Sequence, residues 1–243
     1  MATLESGRAA AQPTPAAPLP FGSQQYRDHF RATTVDRVGG RLGGKLYALV
    51  NLTVLLTILT ALVIVMPAWP AHFLVLLPAY FLFINGLEYA LHRFPMHRKM
   101  KGAEMVYEHV TIHHNFYCDR NFYFEEPRDF YAAILPYYIF IGLSVVIGLS
   151  AGLVYLIGGL DDALFFALCG YGYYLLYELL HFSYHAGESS FVKKLPFIRK
   201  FSRAHILHHQ AKLMAHYNFN ITFPIWDWLL GTSYKGPKPD GLP

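Results

Sequence analysis

Apolar positions in this chain neither alternate nor recur at helical spacing over most of its length; they run together in four long blocks. The first, Tyr47 to Met66, carries no charge and stops at Pro67 and Pro70 in MPAWP, a turn signal. The second runs from about Ala71 to Leu91 with the single charge Glu88 near its end. The third, from about Ala132 to Ile157, is apolar throughout and closes at GGLDD. The fourth, Ala163 to about Leu180, brings Glu178 to its end. Each meets the roughly 20-residue requirement for a bilayer span, the fourth narrowly. Buried core helices of a soluble protein are the weaker reading, because the runs exceed ordinary core lengths.

The polar stretches between these blocks sort by charge. Arg93, Arg98, Lys99 and Lys101 follow the second block, and Lys193, Lys194, Arg199, Lys200 and Arg203 follow the fourth. Arg27, Arg31, Arg37, Arg41 and Lys45 precede the first and read as an interfacial lead-in. The short turns MPAWP and GGLDD hold no Lys or Arg, and the second holds Asp161 and Asp162. The positive-inside rule then puts both long polar segments, 93–131 and 183–243, on the cytoplasmic side. The expectation is an all-α integral membrane protein. Four transmembrane helices form two hairpins, and a cytoplasmic helical cap carries the polar chemistry. Residues 1–45 read as disordered (the Ala- and Pro-rich first 20) passing to interfacial, 46–235 as the membrane domain, and 236–243 as a short tail.

Composition supports this without adding much. Charged residues make up 15% of the chain, against about 25% in soluble domains. No stripe of basic and aromatic residues suggests nucleic acid. Cys118 and Cys169 match no ligand spacing and no disulfide framework.

Histidine changes the picture. Ten of the thirteen fall in four clusters just past the second and fourth blocks: HRFPMH (His92, His97), HVTIHH (His109, His113, His114), HFSYH (His181, His185) and HILHH (His205, His208, His209). Imidazole is the commonest protein metal ligand, and ten of them suit two ions with about five nitrogens each. On an α-helix, positions i, i+3 and i+4 share a face. That groups His205 with His208 and His209, His181 with His185, and His109 with His113, while His114 points toward a possible second ion. His92 and His97 flank Pro95, a spacing for a helix end folded back to one centre. His29 and His72 read as ordinary surface or core histidines, and His216 stays open. A structural zinc site would normally include thiolates, and HExxH is absent. Imidazole alone does not choose among metals, but an unactivated hydrocarbon substrate requires a redox-active one. Glu88 and Glu178 stand one turn before His92 and His181, where a carboxylate accepts the free imidazole N–H and fixes the tautomer. Carboxylates at the ends of apolar spans otherwise snorkel into the interface.

From Leu77 to Ser233 the chain resembles the fatty acid hydroxylase / sterol desaturase superfamily of membrane di-iron enzymes. The resemblance rests on the order of the boxes, their position after two hairpins, and the closing segment NFNITFPIWDWLLGT (Asn218 to Thr232) with its aromatic-flanked Asp227. YELLHFSYH followed by AHILHH is most similar to the lipid 2-hydroxylase branch, and HYNF around His216 to the sterol desaturase branch. The resemblance implies two iron ions held by His92, His97, His109, His113, His114, His181, His185, His205, His208 and His209, with Glu88, Glu178 and Asp227 as supporting carboxylates. It implies O₂, an external reductant delivered by a cytochrome- or ferredoxin-type protein, and a membrane lipid hydroxylated or desaturated at an aliphatic C–H. No fused cytochrome domain is expected ahead of the first block. The basic residues near the boxes, Lys193, Lys194 and Arg199 among them, are suited to an acidic electron donor, to lipid headgroups, or to topology alone. The membrane is expected to be a bacterial inner membrane or the endoplasmic reticulum. Lipid hydroxylase is the leading reading, with sterol or other lipid desaturase and carotenoid hydroxylase beside it. A metal transporter is the alternative from another class, but transporters place ligands near the bilayer midplane, and these clusters lie beyond the span ends.

Overall fold

The structure, a computed structural model, describes residues 18–118 and 121–237. The disordered lead expected at 1–20 lies outside the described residues but for its last three positions, and the tail at 236–243 but for its first two.

All regular structure among the described residues is helical. Four helices are long and apolar enough to cross a membrane. Span one is Gly43–Val65, span two Phe73–Leu91, span three Tyr137–Gly158 and span four Leu160–Tyr184. No residue of span three is fully buried, and span one buries only Gly43, Gly44 and Leu55. Helices so apolar on every face are stable where lipid takes the place of water. Span four is the hub. It packs against the other three spans and against the helix Pro196–His208, and it buries a ladder of large side chains that includes Tyr173, Tyr174, Tyr177 and Tyr184.

Two span boundaries differ from the sequence expectation. Span three starts at Tyr137 rather than near Ala132, because Pro136 keeps the preceding chain extended; residues Phe130–Ala133 instead form a separate helical turn. Span four is longer at both ends. Gly159, at φ +84°, makes the turn alone, so Asp161 and Asp162 fall in the first helical turn, where the helix dipole favours acids. At this end of the bundle His72 Nε2 meets Asp162 Oδ1 at 2.7 Å, joining the two hairpin turns.

The opposite end carries the polar segments. Within the basic lead-in two arginines face the protein, while Arg37 and Lys45 are exposed. Ser23 caps a helix, Gln24–Phe30, and its Arg27 and the following Arg31 turn inward and are buried. The amphipathic helix Pro196–His208 faces inward with Ile198, Ser202, His205, Ile206 and His208. After it a run of turns, 209–217, and an irregular stretch whose backbone is held by Glu88 of span two lead to the short helix Ile225–Leu229, where the indole of Trp226 packs on Gly86. A Cβ at Gly86 would stand 2.9 Å from that ring, so only glycine admits it.

Candidate metal centre

Four short pieces of backbone carry the clustered histidines to one place. Span two passes into a π-helical turn, His92–Met96, and a second π-helical segment is His109–His114. The end of span four supplies His181 and His185, and the end of helix Pro196–His208 supplies the last three. All ten rings are buried. They form two groups of five: His92, His97, His109, His114 and His208, and His113, His181, His185, His205 and His209. Within each group one nitrogen per ring lies within 4.8 Å of every other. The groups adjoin, with the rings of His114 and His209 stacked at 4.1 Å.

Helix type decides the grouping, and it corrects the α-helical phase expected from sequence. On the π-helical pieces the partners are five apart, His92 with His97 and His109 with His114. On the α-helices they are four apart, His181 with His185 and His205 with His209. His109 and His113 do share a face, their rings stacked at 4.9 Å, but each serves a different group. His208 likewise parts from His205 and His209. Neighbouring turns of one helix are about 5–6 Å apart, so a shared face fixes a direction and leaves open which centre is reached.

On five of the ten rings the other nitrogen is held by a backbone carbonyl. Nδ1–H of His113 donates to Ala132 O at 2.8 Å, that of His185 to Phe122 O at 2.8 Å, and that of His208 to Tyr217 O at 2.8 Å. His92 donates to Phe219 O and His209 to Tyr117 O. Glu88 and Glu178, expected to accept from imidazole, instead accept from backbone and hydroxyl groups, and so does Asp227. Glu88 accepts from the backbone N–H groups of Ile221 and Thr222 and from Tyr173 and Thr222 hydroxyls. Asp227 accepts from the N–H groups of Phe219 and Asn220 and from Thr232 Oγ1. Glu178 accepts from Leu135 N–H at 3.2 Å. Sequence spacing could not reveal the carbonyl partners, which come from distant backbone.

These contacts test whether the site fits metal. A carbonyl only accepts, so a ring bonded to one through Nδ1 carries its proton there and presents a bare lone pair at Nε2. His113 and His209 are both fixed this way, yet their Nε2 atoms face each other at 3.1 Å. Burial holds His113 down to about 3 and His209 well below the usual histidine range, with neighbouring imidazoles adding to the shift for His209. No proton is therefore left to bridge the two lone pairs, and a cation resolves the repulsion. Nε2–Nε2 approaches across both groups run from 3.0 to 3.3 Å. Two nitrogens at right angles about 2.1 Å from one ion stand about 3.0 Å apart. His114 adds an orphan: it is fully buried and neither ring nitrogen has a hydrogen-bond partner. The donor set fits two metal ions.

The other histidines stand apart. His29 and His216 are exposed, His72 pairs with Asp162, and none of the three joins either group. Neither Cys118 nor Cys169 joins a group. Of the basic residues near the boxes, Lys193 is buried and donates to Tyr184 O at 2.8 Å and to Ser202 Oγ, whereas Lys194, Arg199, Lys200 and Arg203 are exposed.

Two cavities reach the histidines. The inner one lies between spans two, three and four and touches His92. The outer one touches His109, His113 and His181 and is rimmed by Tyr47, Glu108 and Tyr138. Met96 and Leu135 line both.

A family model described as fatty acid hydroxylase matches residues 77–232. No curated protein and no solved structure matches the chain.

Proposed function

The chain belongs to the fatty acid hydroxylase family, and on that footing we propose that it is a multi-pass membrane oxygenase that hydroxylates an aliphatic C–H of a lipid. The family match and four apolar helices support a membrane oxidoreductase acting on lipid. The observation that carries the metal chemistry is the 3.1 Å approach of His113 Nε2 to His209 Nε2, each ring facing a backbone carbonyl through Nδ1. In this reading His92, His97, His109, His114 and His208 hold one iron, and His113, His181, His185, His205 and His209 hold the other. The bound irons supply O₂ activation, with electrons arriving from a separate cytochrome- or ferredoxin-type protein.

The protein's own part is to fix the rings and keep water away. Backbone carbonyls set five tautomers, which removes reorganisation at the metal. Burial keeps the rings neutral and able to bind. The apolar walls of the inner cavity exclude water from the reacting chain. The exposed cations Lys194, Arg199, Lys200 and Arg203 lie on and beside the helix that ends at His205 and His208, a short path for an acidic donor. The charge asymmetry supports placing this end of the bundle in the cytoplasm.

The experiment is lipid mass spectrometry on cells expressing the intact chain, its His113→Ala variant, or neither. A gain of one oxygen on a lipid, present only with the intact chain and dependent on O₂, is expected. Unchanged lipids in cells that hold the metal-loaded protein overturn the reading.

A further inference from the structure

The segment that follows the last histidine cluster returns into the depth of the spans. Asn218 N–H donates to Thr232 O at 2.9 Å, which closes residues 218–232 into a loop with both ends together on the histidine side. The tip of this loop climbs along span two. The ring of Phe223 lies 5.5 Å from that of Phe81, Trp226 Nε1 donates to Leu82 O at 3.2 Å, and the indole rests on Gly86. The His72–Asp162 pair marks the polar level at the far end of the bundle. At about 1.5 Å per residue, Leu82 stands about 15 Å and Gly86 about 21 Å from His72, inside a hydrocarbon layer of about 30 Å.

Backbone and side chains both suit that depth. Irregular backbone is tolerated within a bilayer only where its polar groups are satisfied by protein. The N–H groups of Phe219 and Asn220 donate to Asp227, those of Ile221 and Thr222 to Glu88, and that of Trp226 to Asn220 Oδ1. Ile225, Trp228, Leu230 and Thr232 donate to carbonyls within the loop, and Pro224 has no N–H to satisfy. Asp227, the one charge in residues 218–232, is fully buried. Trp228, Leu229 and Leu230, in contrast, are 59%, 67% and 51% exposed. Consecutive large apolar side chains left uncovered mark a contact surface. Leu82, whose carbonyl holds Trp226, is itself exposed, and so is Phe83, so the surface of the loop continues the outer surface of span two.

We propose that residues 223–230 form a re-entrant loop inserted in the leaflet on the histidine side, with Trp228, Leu229 and Leu230 packed against the acyl chains of bulk lipid. The assignment adds a membrane contact to the four spans and does not depend on the oxygenase reading. A second copy of this chain and a water-soluble protein are the competing occupants. An exposed tip without charge, level with the apolar middle of span two, favours lipid over both. The base of the loop carries Phe219 O, which accepts from His92, so the inserted tip and the first histidine group belong to one hydrogen-bonded unit.

The test places the full-length Trp69→Phe protein in nanodiscs, which leaves Trp226 and Trp228 as the only indoles. Phospholipids brominated along the acyl chain quench from the lipid phase, and iodide quenches from water. The Trp228 signal is the difference from the Trp69→Phe/Trp228→Phe protein. Strong quenching by acyl bromine and little by iodide is expected. Quenching by iodide alone puts the tip in water, and protection from both quenchers puts it against protein; either result overturns the proposal. Leu229→p-benzoylphenylalanine, irradiated in the same nanodiscs, then identifies the neighbour by mass spectrometry. A mass gain of one phospholipid is expected, and a crosslinked dimer of the chain overturns the lipid assignment.

Discussion

Arg27 and Asp129, 102 residues apart in sequence, meet as a fully buried ion pair, with Nη2 2.8 Å from Oδ2. Arg31 closes on the other oxygen, Nε to Oδ1 at 2.8 Å, and the N–H of Glu125 also donates to Asp129 at 2.8 Å. The Arg27 guanidinium lies 4.7 Å from the ring centroid of Phe116. The hydroxyl of the adjacent Tyr117 donates to Asp129 O, while Tyr117 O accepts from His209. The N-terminal helix is thus bound to the same segment that orients a histidine of the second group.

Removing Asp129 takes away the one fully buried carboxylate that Arg27 and Arg31 share. Arg27 is left only Glu125 and Arg31 only Asp28, Glu125 and Glu126, whose side chains are partly or largely exposed. Asp129→Ala is expected to destabilise the protein by about 3–5 kcal/mol. Arg128→Ala removes ion pairs to Asp36 and Glu126 that are partly exposed, and should cost no more than about 1 kcal/mol. Thermal unfolding of both variants in one detergent compares them; equal losses would show that the buried pair is not what holds this helix.

The two-group arrangement makes a stoichiometric prediction. His113→Ala and His208→Ala each remove one ligand, from different groups. Each variant should retain one of the two ions, and the double variant neither. His216→Ala and His29→Ala change exposed rings outside both groups and should leave metal content unchanged. Elemental analysis after exhaustive dialysis reads all five proteins. Retention of both ions in His113→Ala would remove that ring from the ligand set.

Much of this was legible in the sequence. The spans were visible because unbroken apolar runs have few physical readings, and the ten clustered histidines because polar rings at span ends are costly without a purpose. The grouping was not visible. It depends on π-helical turns at His92–Met96 and His109–His114, which change the partner spacing from four to five. Nor could local spacing show that Glu88 and Asp227 grip the backbone of residues 219–222 instead of touching imidazole, since Glu88 reaches across more than 130 residues. Nor does local spacing show the burial of Arg27 and Arg31 in the interfacial lead-in, because their partner Asp129 lies about 100 residues on.

Lys193 predicts a pH dependence. Burial lowers its folded-state value to about 8, well under the usual lysine value of 10.5. Between these limits the unfolded chain holds a proton that the folded protein has released, so stability rises with pH across that window. Below about 8 both states are protonated and the slope vanishes. The rise should be at most about 1.4 kcal/mol per pH unit. Unfolding free energies of wild type and Lys193→Met, measured from pH 7 to 10.5, should diverge in favour of wild type above pH 8. Parallel curves would show that the Lys193 ammonium is as well solvated in the fold as in the unfolded chain.

Asp227 acts on the first group through backbone. Its oxygens accept from Phe219 N–H at 3.0 Å and Asn220 N–H at 2.7 Å, while Glu88 accepts from Ile221 and Thr222 N–H on the same stretch. Phe219 O in turn accepts from His92 Nδ1, so the two carboxylates fix the carbonyl that sets this ring's tautomer. Asp227→Asn keeps the shape but replaces an acceptor with a donor facing a backbone N–H. Metal affinity of the first group is expected to fall by about 10- to 100-fold, the range for lost supporting contacts, while the second group, whose rings bond to other carbonyls, is unaffected. Chelator competition separates the groups when run in two backgrounds: His113→Ala, which leaves the first group loaded, and His208→Ala, which leaves the second. Weakening in the first background alone is expected. Equal weakening in both would mean that Asp227 supports the fold generally and has no particular hold on His92.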